Sequence, residues 1–199
     1  MLVTDDRLLD GRDLVSVALA AERGGITSLQ LRLKRATARE LADAARALIQ
    51  AVRIPVLVND RPDVALATGA AGVHLGPDDL SVALTRRIAP SGFIIGASAG
   101  TEAEADSAAG ADYWGIGPWR TTTTKDDAGI ALGVDGFRRL TRRAGSTPTL
   151  AIGGVLPEDV PVVLGAGGMG VAVVSGILGV ADVEQAARTY SAPIAKRPR

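Results

Sequence analysis

The same pair of elements recurs eight times in succession along this chain. A short run rich in Val, Ile or Leu, bounded by Gly, Pro, Asp or Asn, is followed each time by a stretch of helical character. The short runs are Leu2–Thr4, Ser28–Leu33, Val56–Asn59, Gly72–Leu75, Phe93–Ala97, Tyr113–Gly117, Thr149–Ile152 and Gly170–Ser175. Runs this brief and this apolar read as strands covered on both faces, the condition of a parallel sheet. Eight such units suit a closed (β/α)8 TIM barrel better than an open doubly wound sheet, which leaves two edges to protect. With 199 residues, 47% of them apolar, the chain can close one sizeable core and not two. The expected organisation is a single α/β catalytic domain over 1–190 and a frayed basic tail over 191–199.

Helix boundaries are written between the strands. Thr37 and Glu40 form a capping box ahead of an apolar stripe at Leu41, Ala45, Leu48 and Val52. Thr101 and Glu104 repeat the box, and Asp13, Asp182 and Pro157 stand where first-turn residues belong. Gly24, Gly69, Gly110 and Gly145 fall at helix ends, where a left-handed residue needs no Cβ.

Composition removes several chemistries. Lys plus Arg and Asp plus Glu are 22 each, so no global field draws nucleic acid or an acidic membrane. No cysteine is present, which excludes disulfides, thiol catalysis and thiolate metal sites. One histidine, His74, excludes a multi-His zinc centre. Met1 to Asp6 runs into the first strand without a leader pattern, and no apolar run reaches the length of a membrane span. A cytoplasmic enzyme is expected.

In a barrel, function gathers where strands end. The second strand reads Gln30-Leu-Arg-Leu-Lys34, and alternation puts Gln30, Arg32 and Lys34 on one face. That face is either solvated or an anion-binding rail, and in an all-parallel sheet the rail is the better reading. The third strand ends at Asn59-Asp60 and the fourth at Gly76-Pro-Asp-Asp79. Facing carboxylates beside cationic groups suggest a hard cation bridging protein to phosphate, most naturally Mg²⁺. The competing role for Asp78 or Asp79 is to cap a helix beginning at Leu80. After the sixth strand, Gly117-Pro-Trp-Arg-Thr-Thr-Thr-Thr-Lys125 offers four hydroxyls and a lysine, a phosphate clamp or an ordinary loop. Gly153-Gly154 and Ser175 follow strands seven and eight, the usual barrel phosphate site. His74 reads as a hydrogen-bonded core residue, and Arg138, Arg139, Arg142 and Arg143 as a solvated helix face. Trp119 either stacks on a ring or packs its loop.

Eight stretches in register resemble the thiamine-phosphate synthase family. They are Leu2-Val-Thr-Asp5, Gln30-Leu-Arg-Leu-Lys34, Asn59-Asp60-Arg61, Gly72-Val-His-Leu-Gly76 with Asp79, Ile95-Gly-Ala-Ser98, Gly117-Pro118 with Thr122–Lys125, Ala151-Ile-Gly-Gly154, and Val173-Val-Ser175. The resemblance implies a Mg²⁺-dependent barrel that joins a pyrimidine diphosphate to a thiazole phosphate, releasing diphosphate. It implies that Gln30, Arg32, Lys34, Asn59, Ser98 and Lys125 contact the pyrimidine diphosphate, with Arg32, Lys34, Lys125 and Ser98 serving catalysis. Asp60 and Asp79 would hold Mg²⁺, and Thr122, Thr123, Thr124, Gly154, Val174 and Ser175 the thiazole phosphate. The implied partners are the two phosphorylated small molecules, with neither nucleic acid nor membrane; a homo-oligomer is compatible with the sequence, which carries no mark of one.

Two positions depart from the family pattern. Gly100 stands where a histidine is common, and Arg120-Thr121 where an aromatic and a proline are common. A thiazole tautomerase-like relative, which relies on that histidine and not on the carboxylates, is the nearest alternative. A barrel that only binds a phosphorylated metabolite is another. Phosphosugar epimerases and isomerases need a central base, for which only Asp60 or His74 offers itself.

Overall fold

The computed structural model describes residues 1–9, 11–121 and 129–195. Among these, β1 (Leu2–Val3), β2 (Leu29–Leu31), β3 (Val56–Asn59), β4 (Gly72–Leu75), β5 (Ile94–Ser98), β6 (Tyr113–Ile116), β7 (Thr149–Ile152) and β8 (Gly170–Ala172) pair in chain order as one parallel sheet. The ring closes where Val3 N–H donates to the Val173 carbonyl (2.9 Å) and Val173 N–H to that of Met1 (3.1 Å). That seam excludes the open sheet; the fold is the expected eight-stranded barrel.

The helices are α1 (Asp6–Leu9), α2 (Leu14–Arg23), α3 (Ala38–Ala51), α4 (Pro62–Thr68), α5 (Val82–Ile88), α6 (Glu102–Ser107), α7 (Gly133–Ala144), α8 (Val160–Gly165), α9 (Ser175–Leu178) and α10 (Val183–Ala195). The short α1 and α9 are additions within the loops after β1 and β8. No described helix is long and apolar enough to cross a membrane.

Alternation along each strand separates two environments. One set, Leu29, Leu31, Val56, Val58, Val73, Leu75, Ile95 and Ile116, is buried against the helices and forms the main core. The other set faces the cylinder axis and mixes polar and small residues, including Gln30, His74, Gly96 and Gly115, with the aliphatic Val3 and Leu57 in register with Gln30. At Gly96 a Cβ would lie 2.1 Å from the Tyr113 ring, so glycine is what lets that ring cross the interior.

Thr37 and Glu40 form the expected reciprocal box. The second box is half made. Thr101 accepts from Glu104 N–H (3.1 Å), but the Glu104 carboxylate turns to Gly100 N–H (2.6 Å) because it faces the cavity described below. Asp79 does not cap a helix, since α5 begins after Ser81, whose hydroxyl accepts from Leu84 N–H. Gly69, Gly110 and Gly145 have positive φ as expected, whereas Gly24 does not (φ −73°). Its reason is space: a Cβ there would stand 2.5 Å from both Ala187 Cβ and the Glu184 carbonyl, where α2 meets α10.

The chain is also ordered past 190. α10 runs to Ala195, with the Ser191 hydroxyl donating to the Gly24 carbonyl (2.6 Å) and Ile194 packed on the core. Pro193 lies in the last turn of α10, where its missing N–H removes one bond of the helix ladder. Residues 196–199, the rest of the expected frayed tail, lie outside the described residues.

Gly24→Ala should destabilise the protein by roughly 1–3 kcal/mol, because the added methyl meets backbone as well as side chain. Urea unfolding checks this, and an unchanged midpoint would mean that α2 and α10 are packed less tightly than described.

Candidate active site

At the C-terminal end of the strands lies a cavity of about 260 Å³. It is lined by Gln30, Arg32, Lys34, Asn59, Asp60, Asp79, Ser98, Gly154, Val174 and Ser175, which are all of the expected site residues that are described. Thr122, Thr123, Thr124 and Lys125 lie outside the described residues.

The cationic side is built by the ends of β1 and β2. The Thr4 hydroxyl accepts from Arg32 N–H (2.8 Å) and donates to the Arg32 carbonyl (3.0 Å), which pins that backbone. The nearly covered Asp5 carboxylate accepts from the guanidinium (2.7 Å) and also takes the N–H groups of Arg7 (3.0 Å) and Leu8 (3.3 Å). Arg32 is therefore held in one orientation at the cavity wall. The Lys34 ammonium donates to Asp60.

Asp60 has a left-handed backbone (φ 63°), uncommon for a residue with a side chain, and its N–H donates to the His74 carbonyl (2.8 Å). Its carboxyl hydrogen-bonds that of Asp79, which also accepts from Gly76 N–H (2.6 Å). Burial pushes Asp60 up, but hydrogen bonds from Lys34 and Asp79, helped by nearby positive charge, hold it below the ordinary value. Asp79 is pushed up to about 6, by burial first and then by the neighbouring Asp60. Two carboxyls in contact need a proton or a cation between them, and no group of three His, Cys, Asp or Glu able to hold a metal occurs among the described residues. A donor set of two carboxylates suits a hard divalent ion whose shell is completed by water and phosphate oxygens.

His74 forms part of the cavity floor. Its Nδ1 lies 2.9 Å from the Tyr113 hydroxyl and its Nε2 3.2 Å from Ser98 Oγ. The expected hydrogen-bonded histidine is found, with one side open to the site.

The family profile described as thiamine monophosphate synthase matches residues 1–177. The thiamine-phosphate synthase of Azorhizobium caulinodans is 47% identical over 193 residues, covering 94% of this chain and 91% of the relative. That of Methanoculleus marisnigri is 45% identical, covering 98% and 94%. The chain belongs to the thiamine monophosphate synthase family. A thiamine phosphate pyrophosphorylase structure from Pyrococcus furiosus superposes with a TM-score of 0.87 at 36% identity, covering 98% of this chain and 95% of that one. A 3-hexulose-6-phosphate synthase at 18% identity (TM-score 0.70; 97% and 99% covered) shares the fold alone. The family named from eight motifs is thus borne out, and its members are transferases.

Where this synthase-family chain departs from the common pattern, neighbouring loops fill the space. A Cβ at Gly100 would meet the Gly117 carbonyl at 2.4 Å and the Glu104 carboxylate at 3.2 Å. A histidine has no room there in this conformation. Trp119 is buried edge-on against Phe137 (ring centroids 5.7 Å apart) and does not line the cavity, so it packs its loop. Arg138, Arg139 and Arg143 pair on the surface with Asp135, Glu102 and Asp106.

Four contributors had no role in the site assigned from sequence: Thr4, Asp5, Tyr113 and Glu104, which was expected only as part of a capping box. Asp5 stood inside a quoted motif, and its position at the end of β1 was the available signal. Tyr113 carried none, because only the register brings its ring beneath His74.

The carboxyl pair predicts a pH dependence of stability. A raised Asp79 value means that folding favours its protonated form. That stabilisation is complete below about 4, the ordinary carboxyl range, and is lost as pH rises through about 6. Without divalent cation, Asp79→Asn should melt above wild type at pH 8, with the advantage shrinking towards pH 4. Thermal melts across that range check it; a constant difference would count against proton sharing.

Proposed function

We propose that this chain is a thiamine-phosphate synthase joining 4-amino-2-methyl-5-(diphosphooxymethyl)pyrimidine to 4-methyl-5-(2-phosphoethyl)thiazole. The observation that supports this reading is one cavity lined by two sets of groups suited to anions. Arg32, Lys34 and the carboxyl pair line one end, and Gly153, Gly154, Val174 and Ser175 the other. Such a cavity suits two phosphorylated molecules bound together.

The chemistry asks for charge neutralisation and alignment. The C–O bond to diphosphate breaks with its electron pair leaving on oxygen, and the aminopyrimidine ring delocalises the positive charge left on the methylene. The thiazole nitrogen donates its lone pair to that carbon, forming the C–N bond of thiamine phosphate. No enzyme nucleophile is needed, in keeping with a chain that has no cysteine and a single histidine. Arg32, oriented by Asp5, and Lys34 bind the diphosphate and stabilise the charge it gains. Ser98 hydrogen-bonds the same group, while Gln30 and Asn59 orient the pyrimidine. Asp60 and Asp79 would hold Mg²⁺, which when bound neutralises phosphate charge. The resemblance assigns Lys125 to the diphosphate, and Thr122, Thr123 and Thr124 to the thiazole phosphate beside Gly154, Val174 and Ser175.

The filled space at Gly100 favours the synthase over a tautomerase that depends on a histidine there. No nucleic acid or membrane is expected as partner, and a cytoplasmic location fits the substrates.

Incubating the protein with both precursors and Mg²⁺ should yield thiamine phosphate and diphosphate in equal amounts. Arg32→Ala should lower the rate by on the order of 10²–10³. Absence of product from the wild-type chain, or a wild-type rate in Arg32→Ala, would overturn the reading.

A further inference from the structure

The Arg120-Thr121 departure acquires a meaning in three dimensions. The Arg120 guanidinium meets the Asp159 carboxylate with both terminal nitrogens, one pair at 2.7 Å, a fork geometry that lysine cannot reproduce. Nη1 also donates to the Gly154 carbonyl (3.3 Å). Asp159 is strongly anchored: its side chain is only 8% exposed, and it accepts from Leu156 N–H (2.8 Å) and from the Trp119 side chain. The backbone repeats the connection, with Trp119 N–H donating to the Ile152 carbonyl (2.8 Å) and Arg120 N–H to that of Gly153 (2.9 Å).

Between these bonds lies the Gly153-Gly154 turn. Both glycines have positive φ (87° and 70°), and the loop after β6 packs directly on them. A Cβ on Gly153 would sit 2.9 Å from Pro118, and one on Gly154 3.0 Å from Arg120 Cβ. A turn of this kind has many backbone alternatives in isolation. Here one of its faces is fastened by Arg120 while the other lines the cavity.

We propose that Arg120 and Asp159 are a positioning pair that sets the Gly153-Gly154 backbone, and thereby the affinity of this chain for the phosphate of its thiazole substrate. Neither side chain lines the cavity, so the pair acts through the turn. The choice of the thiazole end rests on the function proposed above; the latch itself rests on the contacts.

The effect is selective, because the pyrimidine diphosphate end is held by β1, β2 and β3. Arg120→Ala should raise KM for the thiazole phosphate about tenfold, the scale of one misaligned charge-assisted hydrogen bond. KM for the pyrimidine diphosphate and kcat at saturating thiazole phosphate should stay unchanged. Arg120→Lys should fall between wild type and Arg120→Ala. Combining Arg120→Ala with Asp159→Ala should cost little more than either alone, since the two act as a unit. An unchanged thiazole phosphate KM in Arg120→Ala overturns the proposal. So does a parallel fall of kcat and of both affinities together with Tm, which would mark a merely structural bridge. Calorimetry with the thiazole phosphate alone reads the same loss without turnover. A wild-type chain that binds this compound but forms no product would refute the coupling reaction and leave the latch to be judged on the calorimetric difference.

Discussion

A closed ring of eight parallel strands leaves little room at its axis, and the remaining features of this protein follow from how that room is shared. Most large aliphatic side chains are buried between strands and helices, where Leu29, Val58, Val73, Ile95 and Ile116 are found. Many inward positions are small or cooperate. Glycine at 96 admits the Tyr113 ring, and glycine at 115 sits beside His74, whose ring lies 3.2 Å from where a Cβ would be. The interior is consequently packed low down and polar higher up. A cavity at the C-terminal end results from side chains that stop short of filling it.

The polar upper layer is nearly balanced in charge within itself. Arg32 is matched by Asp5 and Lys34 by Asp60, while Asp60 raises the proton affinity of the neighbouring Asp79. Each pairing orients a group that would otherwise search many rotamers, which reduces reorganisation when an anion or a divalent ion arrives. Arg32 is the more rigid of the two cations because its backbone is tied to Thr4 and its guanidinium to Asp5, the two residues that follow β1. Lys34 has a longer, more exposed stem and a partner that metal binding would redirect.

The opposite wall is backbone rather than side chain. Two successive left-handed glycines and the residues after β8 offer main-chain groups, whose geometry is only as good as the loops supporting them. Arg120 and Asp159 supply such support from behind. They stand apart from the cavity in the way that residues orienting a metal ligand stand behind the ligand.

Much of this was legible beforehand. The strand–helix period, the Thr37 cap and the apolar stripe of α3 are local properties, so the barrel could be read from them. Strand-end carboxylates, the Gln30–Lys34 alternation and the paired glycines could be read because a barrel brings all strand ends to one rim. Less legible were features that depend on contacts between distant segments. Gly24 looked like a helix terminator and proved to be a crossing point for α10, and residues 191–195 looked frayed but find a surface on α2 and the barrel. The sequence by itself determined the number of units, their order, the parallel sheet and the rim on which chemistry would gather, because periodicity and capping act over a few residues. Only the tertiary structure decided which cavity charges meet, that the Asp60 and Asp79 carboxyls come together, that Tyr113 lies under His74, and that Arg120 reaches Asp159. Those depend on register and on loop packing between segments up to 39 residues apart, for which no local pattern exists.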